Sequence, residues 1–490
     1  MKFPKNHKSL YRNALLITPF LFAIAACSGG GDSSPQPTDT TPPSITVTSH
    51  TDGQEIIGDR TITLQGTVSD DTQSVSILLK GTNVTATLNG NSFSANIILA
   101  DRENILEISA ADDSNNRSNI SVNLFYPFLS LTNGQAASMV IGQPDFTSSA
   151  INRGAGIPSA NSLSYQSGSA AVTDDGKLYV PDCGNNRILI FNQIPDSFDV
   201  PADFVIGQDD FVSNSENLSD HSFSCPSSVR IYGNRMFVTD VNNNRVLIWN
   251  TLPTSNNEPA SIVLGQSAFD TGTSGCDARK LNFPIDTVVA NNKIIVADTL
   301  NNRALIWNDI ENLSNGKEAN IVLGQADFVS CQGNRGDVLP DANTFWTPTG
   351  VWSDGSNLIV ADNSNNRVLI WNVFPTTNGS MAEIVLGQSD MQSYSLDVCQ
   401  SCLHDPAVVF SNGNQLFVGD SGNNRLLVWD SMPSASNTPA DRVIGQSDFD
   451  SLSFDTSETT FVGPWGIVPY GSKLIVSDGE NTRIMIYDAP

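Results

Sequence analysis

The chain has 490 residues, 39% hydrophobic and 16% charged, enough for more than one buried core. Its 25 Lys and Arg stand against 51 Asp and Glu, a formal charge of −26. A surface this acidic repels phosphate backbones, which excludes nucleic acid as a partner, and it suits a solvated, external protein.

Residues 1–26 read as an export signal. Lys2, Lys5, Lys8 and Arg12 precede an apolar run, and small residues lead to Cys27. A transmembrane helix is the competing reading, but the run is short and a Ser/Gly/Pro/Thr tract follows it. Ile24-Ala25-Ala26-Cys27 resembles the lipobox of bacterial lipoproteins. That resemblance implies lipidation of Cys27, a membrane contact through the N-terminal lipid and a place in the bacterial cell envelope. In an enteric-like Gram-negative host, Ser28 after the Cys points to the outer membrane. Residues 27–43 form a flexible tether reaching about 20 Å.

From 44 to 126, apolar and polar residues alternate between turn residues, as in TITLQGTVSD and SFSANIIL. The pattern predicts a small antiparallel β-sandwich of about seven strands. It resembles the bacterial Ig-like modules that act as spacers. The segment has no Cys and no Trp, so the antibody-type disulfide and Trp core are absent. Residues 127–137 read as a linker.

Residues 138–490 are governed by a repeat. DCGNNRILIF, DVNNNRVLIW, DTLNNRALIW, DNSNNRVLIW, DSGNNRLLVW and DGENTRIMIY start at Asp182, Asp240, Asp298, Asp362, Asp420 and Asp478, at steps of 58, 58, 64, 58 and 58. A unit of that length cannot bury its own faces and must stack on its neighbours. Each holds a strand after a Pro (a), an apolar run before the Asp (b), a run after the Arg (c) and a run ending in Gly-Gln (d). D-x-x-N-N supplies the b–c turn. Four short strands per unit predict a propeller blade, and six units predict a six-bladed β-propeller. A Gly-Gln at Gly142 precedes the first unit and none follows the last, so residues 138–143 are expected to pair near Ile484–Tyr487 and close the ring. The units, as in LIVADNSNNRVLIW, resemble NHL repeats. That resemblance implies this all-β fold and leaves protein binding, RNA binding and enzymatic activity open.

Six Cys remain in the propeller beyond Cys27. Cys225, Cys276, Cys331, Cys399 and Cys402 fall in d–a connections and Cys183 in a b–c turn. Both kinds of connection emerge on one face of a blade, so disulfides are expected. Cys183 pairs with Cys225; a local Cys399–Cys402 bridge would leave Cys276 with Cys331.

The repeated Asp, Arg and Trp read as turn and inter-blade packing residues rather than ligands. Function is expected where the beat breaks. Gly to Pro in the d–a connection spans 19 residues in four cases, but 24 from Gly324 to Pro348 and 26 from Gly142 to Gly168. Trp346 and Trp465 flank the channel mouth without counterparts in other blades, and Arg230, Asp286, His404 and Asp405 lie on or near inner strands. These six are the candidate binding residues. No residue is assigned to catalysis, to a metal or to a cofactor: only His221 and His404 lie in the propeller, in blades 2 and 5, and no G-x-S-x-G elbow is present. The expected function is a lipid-anchored scaffold that binds a protein or a glycan. The alternatives are a metal-dependent lyase or lactonase working in the channel, and a purely structural spacer.

Overall fold

Strong β-formers in short runs, separated by Asn, Gly and Asp, give every 58-residue unit four antiparallel strands. The computed structural model describes residues 39–57, 61–69, 71–79, 81–99, 102–165 and 168–489. The signal, Cys27 and most of the tether lie outside them. In blade 3 the strands are Pro284–Ala290, Lys293–Asp298, Arg303–Trp307 and Ile321–Leu323, hydrogen-bonded in that order. Blades 1, 2, 4 and 5 repeat this order.

Blade 6 is completed from the front of the chain. Met139–Ile141 pairs antiparallel with strand c, Arg483–Asp488, in the register Met139↔Ile486, Val140↔Met485 and Ile141↔Ile484. The expected closure is therefore the observed one. The fold is a six-bladed β-propeller preceded by an Ig-like sandwich.

The outer edge of most blades is capped by the next one. Val263 donates its N–H to Asn315 Oδ1 (3.0 Å) and its carbonyl accepts from Gly316 N (3.0 Å). Val205 is matched in the same way by Asn256 and Asn257, Val322 by Asn378 and Gly379, and Val385 by Ser436 and Asn437. On blade 5 the cap at Val443 comes from Asn133 and Gly134. Segment 129–137 thus lies on the propeller, with Leu129, Leu131 and Ala137 buried in the core between blades 5 and 6. These caps satisfy strand edges that would otherwise pair with another chain.

The core sits between blades. Trp249, Trp307, Trp371 and Trp429 are buried, and each donates Nε1–H to a carbonyl of its own c–d loop, as Trp307 does to Lys317 O at 2.9 Å. Inner strands also lock to one another. Val229 N reaches Ser169 O at 3.0 Å, and a Cβ on Gly466 would lie 2.3 Å from Gly168 O. Only glycine permits that approach.

Among the described residues the sandwich has nine strands rather than about seven: β1 Ile45–Val47, β2 Gln54–Ile57, β3 Thr61–Val68, β4 Thr72–Leu79, β5 Thr82–Val84, β6 Thr87–Asn89, β7 Ser92–Ile98, β8 Arg102–Asp112 and β9 Arg117–Phe128. They form sheets β1-β3-β7-β6 and β2-β9-β8-β4-β5 over one apolar core. One pair, β2 with β9, is parallel, which corrects the wholly antiparallel expectation. Alternation of apolar residues fixes which face is buried and is silent on strand direction.

Candidate functional site

The face carrying the d–a connections and b–c turns, the upper face, is held from below by the repeated residues. Asp298 and Arg303 are fully buried, with Nε 2.7 Å from Oδ2. Arg303 Nη1 donates to Phe328 O (2.5 Å) in the loop after its blade, and Nη2 donates to Asp277 O (2.9 Å) and Lys280 O (3.0 Å) in the loop before it. Asp298 Oδ1 accepts from Asn282 N at 2.6 Å. One guanidinium therefore clamps two successive loops, and the same arrangement recurs at Arg187, Arg245, Arg367, Arg425 and Arg483. Burial pushes the carboxyls of Asp298 and Asp478 up to about 6, against the pull of Arg303 and Arg483.

The second Asn of N-N adds another tie. Asn302 sits in the left-handed region (φ 53) and accepts from Thr347 N at 2.9 Å, just before strand a of the next blade. The three disulfides, Cys183–Cys225, Cys276–Cys331 and Cys399–Cys402, are those expected and all lie on this face. They fit an oxidising, non-cytoplasmic compartment. Among the described residues no helix is long and apolar enough to cross a membrane.

On this rigid base stand two matching inserts. The two long loops share N-R-G-x-x-x-P-x-A-N: Asn152-Arg153-Gly154 with Pro158, and Asn334-Arg335-Gly336 with Pro340. Asn152 and Arg153 (φ 49 and 58) and Asn334 and Arg335 (φ 50 and 57) all turn left-handed. Asn334 exchanges amide hydrogen bonds with Asn365 of the b–c turn (3.1 and 2.8 Å), and Asn152 does the same with Asn185. The inserts enter blades 1 and 4, opposite one another in a six-membered ring. They carry Ile151, Ile157, Val338, Leu339 and Trp346 exposed, Ile157 at 62% and its counterpart Leu339 at 53%. Of the eighteen exposed large apolar side chains among the described residues, twelve lie on d–a connections or b–c turns.

The six candidate binding residues do not form one site. Trp346 is 45% exposed on this face, with its N–H donated to Asp362 Oδ1 (2.7 Å). Trp465 is half-buried at the start of strand a in blade 6. His404 and Asp405 are together, Nε2 to Oδ2 3.5 Å, at the start of blade 5. Arg230 and Asp286 are together inside the channel (2.9 Å) and do not belong to the upper face. Asp286 also accepts from Ser228 Oγ (2.6 Å), Thr287 N (2.8 Å) and Val351 N (3.1 Å), so its carboxylate is committed to joining blades 2, 3 and 4. Among the described residues, no three His, Cys, Asp or Glu converge in the channel as a metal would require. At the lower mouth a cavity of about 500 Å³ lies between Arg230, Phe410 and Tyr470 of the propeller and Ile98 and Leu99 of the sandwich. The sequence reading singled out both long loops but missed that they are copies of one another, although N-R-G-x-x-x-P was visible twice. It had no signal for the lower cavity.

Residues 43–128 match the model of glucodextranase domain B. No curated protein matches the chain. Among solved structures it is similar to a streptogramin B lyase (13% identity, 79% of this chain and 90% of that one, TM-score 0.36). It is also similar to a putative 6-phosphogluconolactonase from Bacteroides uniformis (13%, 81% and 98%, 0.34) and to a chain of a nidogen/laminin complex (14%, 76% and 97%, 0.33). At these values nothing about activity passes from those proteins to this chain.

Proposed function

We propose that this chain is an NHL-like, lipid-anchored envelope protein whose propeller docks a protein partner on its upper face. The sandwich and tether act as the spacer from the membrane. The observation that carries this reading is the pair of N-R-G inserts. Two copies of one loop, on opposite sides of the ring, hold matching apolar knobs at Ile157 and Leu339 on fixed backbone. Variable loops on a rigid scaffold are where such folds carry binding. A glycan partner would call for flat aromatic platforms. Of the twelve exposed apolar side chains on this face, nine are aliphatic, and only Trp346, Tyr394 and Phe454 are aromatic. That favours a protein. Among the described residues no convergent donor set in the channel favours the lyase or lactonase reading.

The test is affinity capture from envelope extracts with the intact chain, comparing Ile157→Asp/Leu339→Asp and Trp346→Ala with Met381→Asp, an exposed residue of a c–d loop. A partner held by the parent and by Met381→Asp, and lost from the upper-face variants, supports the proposal. Each hot-spot change should cost about 2 kcal/mol of binding. A partner lost only with Met381→Asp, or a ligand that proves to be a glycan, overturns it.

A further inference from the structure

One end of the sandwich gathers three carboxylates. Asp39 precedes β1, Asp71 leads into β4, and Asp112 ends β8, with one oxygen of each within 4.8 Å of the others. Asp112 is only 5% exposed. The groups that meet them are neutral donors: Thr41 N on Asp39 (3.0 Å), Ser69 Oγ on Asp71 (2.7 Å), and Asn116 N and Nδ2 on Asp112 (2.8 Å each). Among the described residues no Lys or Arg forms an ion pair with any of the three. Like charges this close repel one another.

A separate feature points into the same place. Thr72 is 8% exposed, and its buried hydroxyl has no hydrogen-bond partner among the described residues. Thr72 is paired in register with Asp112 across β4 and β8, so the two side chains stand side by side on one face of the sheet. A buried hydroxyl with no partner is costly. Three carboxylate oxygens and one hydroxyl oxygen, with no nitrogen or sulfur, make a hard-oxygen set. Such sets select calcium or magnesium over zinc or copper. Oxygens around calcium at 2.3–2.6 Å stand up to about 5 Å apart, whereas magnesium draws its ligands in to about 2.0–2.1 Å and keeps its waters. Three carboxylates and a hydroxyl suit calcium, since magnesium is usually held by only one or two carboxylates.

We infer that Asp39, Asp71, Asp112 and Thr72 form a calcium site, completed by water, that ties the segment ahead of β1 to the β4–β8 end of the sandwich. The ion removes the mutual repulsion of the carboxylates and gives the Thr72 hydroxyl its partner. It also fixes the direction in which the chain enters the sandwich.

The test is calcium binding to the full chain by equilibrium dialysis after EDTA treatment, with thermal unfolding followed in parallel. The variants are Asp39→Asn and Asp71→Asn. The control is Asp113→Asn, which removes an exposed charge beside the site and leaves the cluster intact. One calcium-binding step should weaken at least tenfold in both variants and stay unchanged in the control. Calcium should raise the unfolding temperature of the parent, and equimolar magnesium should not displace it. Asp39 lies outside every strand, so its variant decides the matter even if Asp71→Asn fails to fold. Equal affinity in parent, variants and control overturns the site, as does a folded parent with no saturable calcium binding through the millimolar range. Magnesium binding as tight as calcium overturns the choice of ion.

Discussion

Asn334 and Asn365 face each other amide to amide, each donating to the other's carbonyl oxygen at 3.1 and 2.8 Å, and Asn152 and Asn185 repeat the arrangement across the ring. In blade 3, which has no insert, the corresponding Asn301 donates instead to a backbone carbonyl, Gly275 O. The insert therefore replaces a main-chain acceptor with a side chain of its own, which lets a longer loop keep the same anchorage.

Replacing Asn334 with Ala leaves the Asn365 amide buried with one partner fewer. The expected cost is about 1–3 kcal/mol. Hydrogen exchange should speed up over residues 333–340 and stay unchanged in the blade 1 insert. Unchanged protection of that loop would count against the anchor.

The clamp under each loop is a buried ion pair, and its two halves are not equivalent to lose. Arg303→Met strands the Asp298 carboxylate without its cation and leaves three carbonyls unserved, a loss of about 3–5 kcal/mol in urea unfolding. Asp298→Asn/Arg303→Met should be less destabilised than Arg303→Met alone. Equal losses would mean that the pair's charge is irrelevant and only the carbonyl contacts matter.

Much of this architecture was legible in the sequence, for a reason visible in Asp298, Asn302 and Arg303. Asp298 and Arg303 make the same contacts in every blade, and Asn302 in five of the six, with Thr482 at its place in blade 6, so each recurs at the same beat. The closing strand was legible because one Gly-Gln run was surplus at the front. The disulfides were legible because blade topology sends d–a and b–c connections to one face. What could not be read depends on tertiary register. The meeting of Asp39, Asp71 and Asp112 needs three separate segments brought to one end of a sheet. The Arg230–Asp286 pair needs the tilt of two inner strands. The pairing of β2 with β9 needs a strand direction that alternation does not encode.

Closure makes the ring one cooperative unit. Met139–Ile141 completes blade 6, and Asn133 and Gly134 cap blade 5. Deleting residues 127–146 removes both at once and exposes the blade 6 core. The propeller should lose its single sharp calorimetric transition. A deletion variant that melts like the parent would show that the ring closes without it.

Cys183–Cys225 links the b–c turn of blade 1 to the residue before strand a of blade 2, closing a loop with a separation of 42 residues. Non-reducing peptide mapping of the exported protein should recover that linkage, together with Cys276–Cys331 and Cys399–Cys402. Removing the first with a Cys183→Ser/Cys225→Ser variant should cost about 2–4 kcal/mol. Free thiols at both positions in the exported parent would refute the pairing.

Acid titration should separate two sets of carboxylates with opposite signs. Asp145, Asp210, Asp327, Asp390 and Asp448 open upper-face loops. Hydrogen bonds from Ser148, Ser213, Ser330, Ser393 and Ser451 hold their carboxyls below the usual range. A carboxyl depressed in the folded state contributes stability above its unfolded pKa and loses it as pH falls through the folded value. Asp298 and Asp478 behave in reverse. Burial raises them from 3.8 to about 6, so the folded chain holds those protons more tightly than the unfolded one. Their contribution is complete below the unfolded value and disappears as pH rises through about 6. The unfolding temperature should therefore climb as pH drops from about 7 to about 5, pass through a maximum, and fall below about pH 4 as the loop carboxylates protonate. Asp298→Asn removes one titrating proton and should flatten the climb without moving the low-pH fall. A parent whose unfolding temperature is level from pH 7 to 5 would show that these two buried carboxyls ionise at ordinary values, with the Arg pull exceeding the cost of burial.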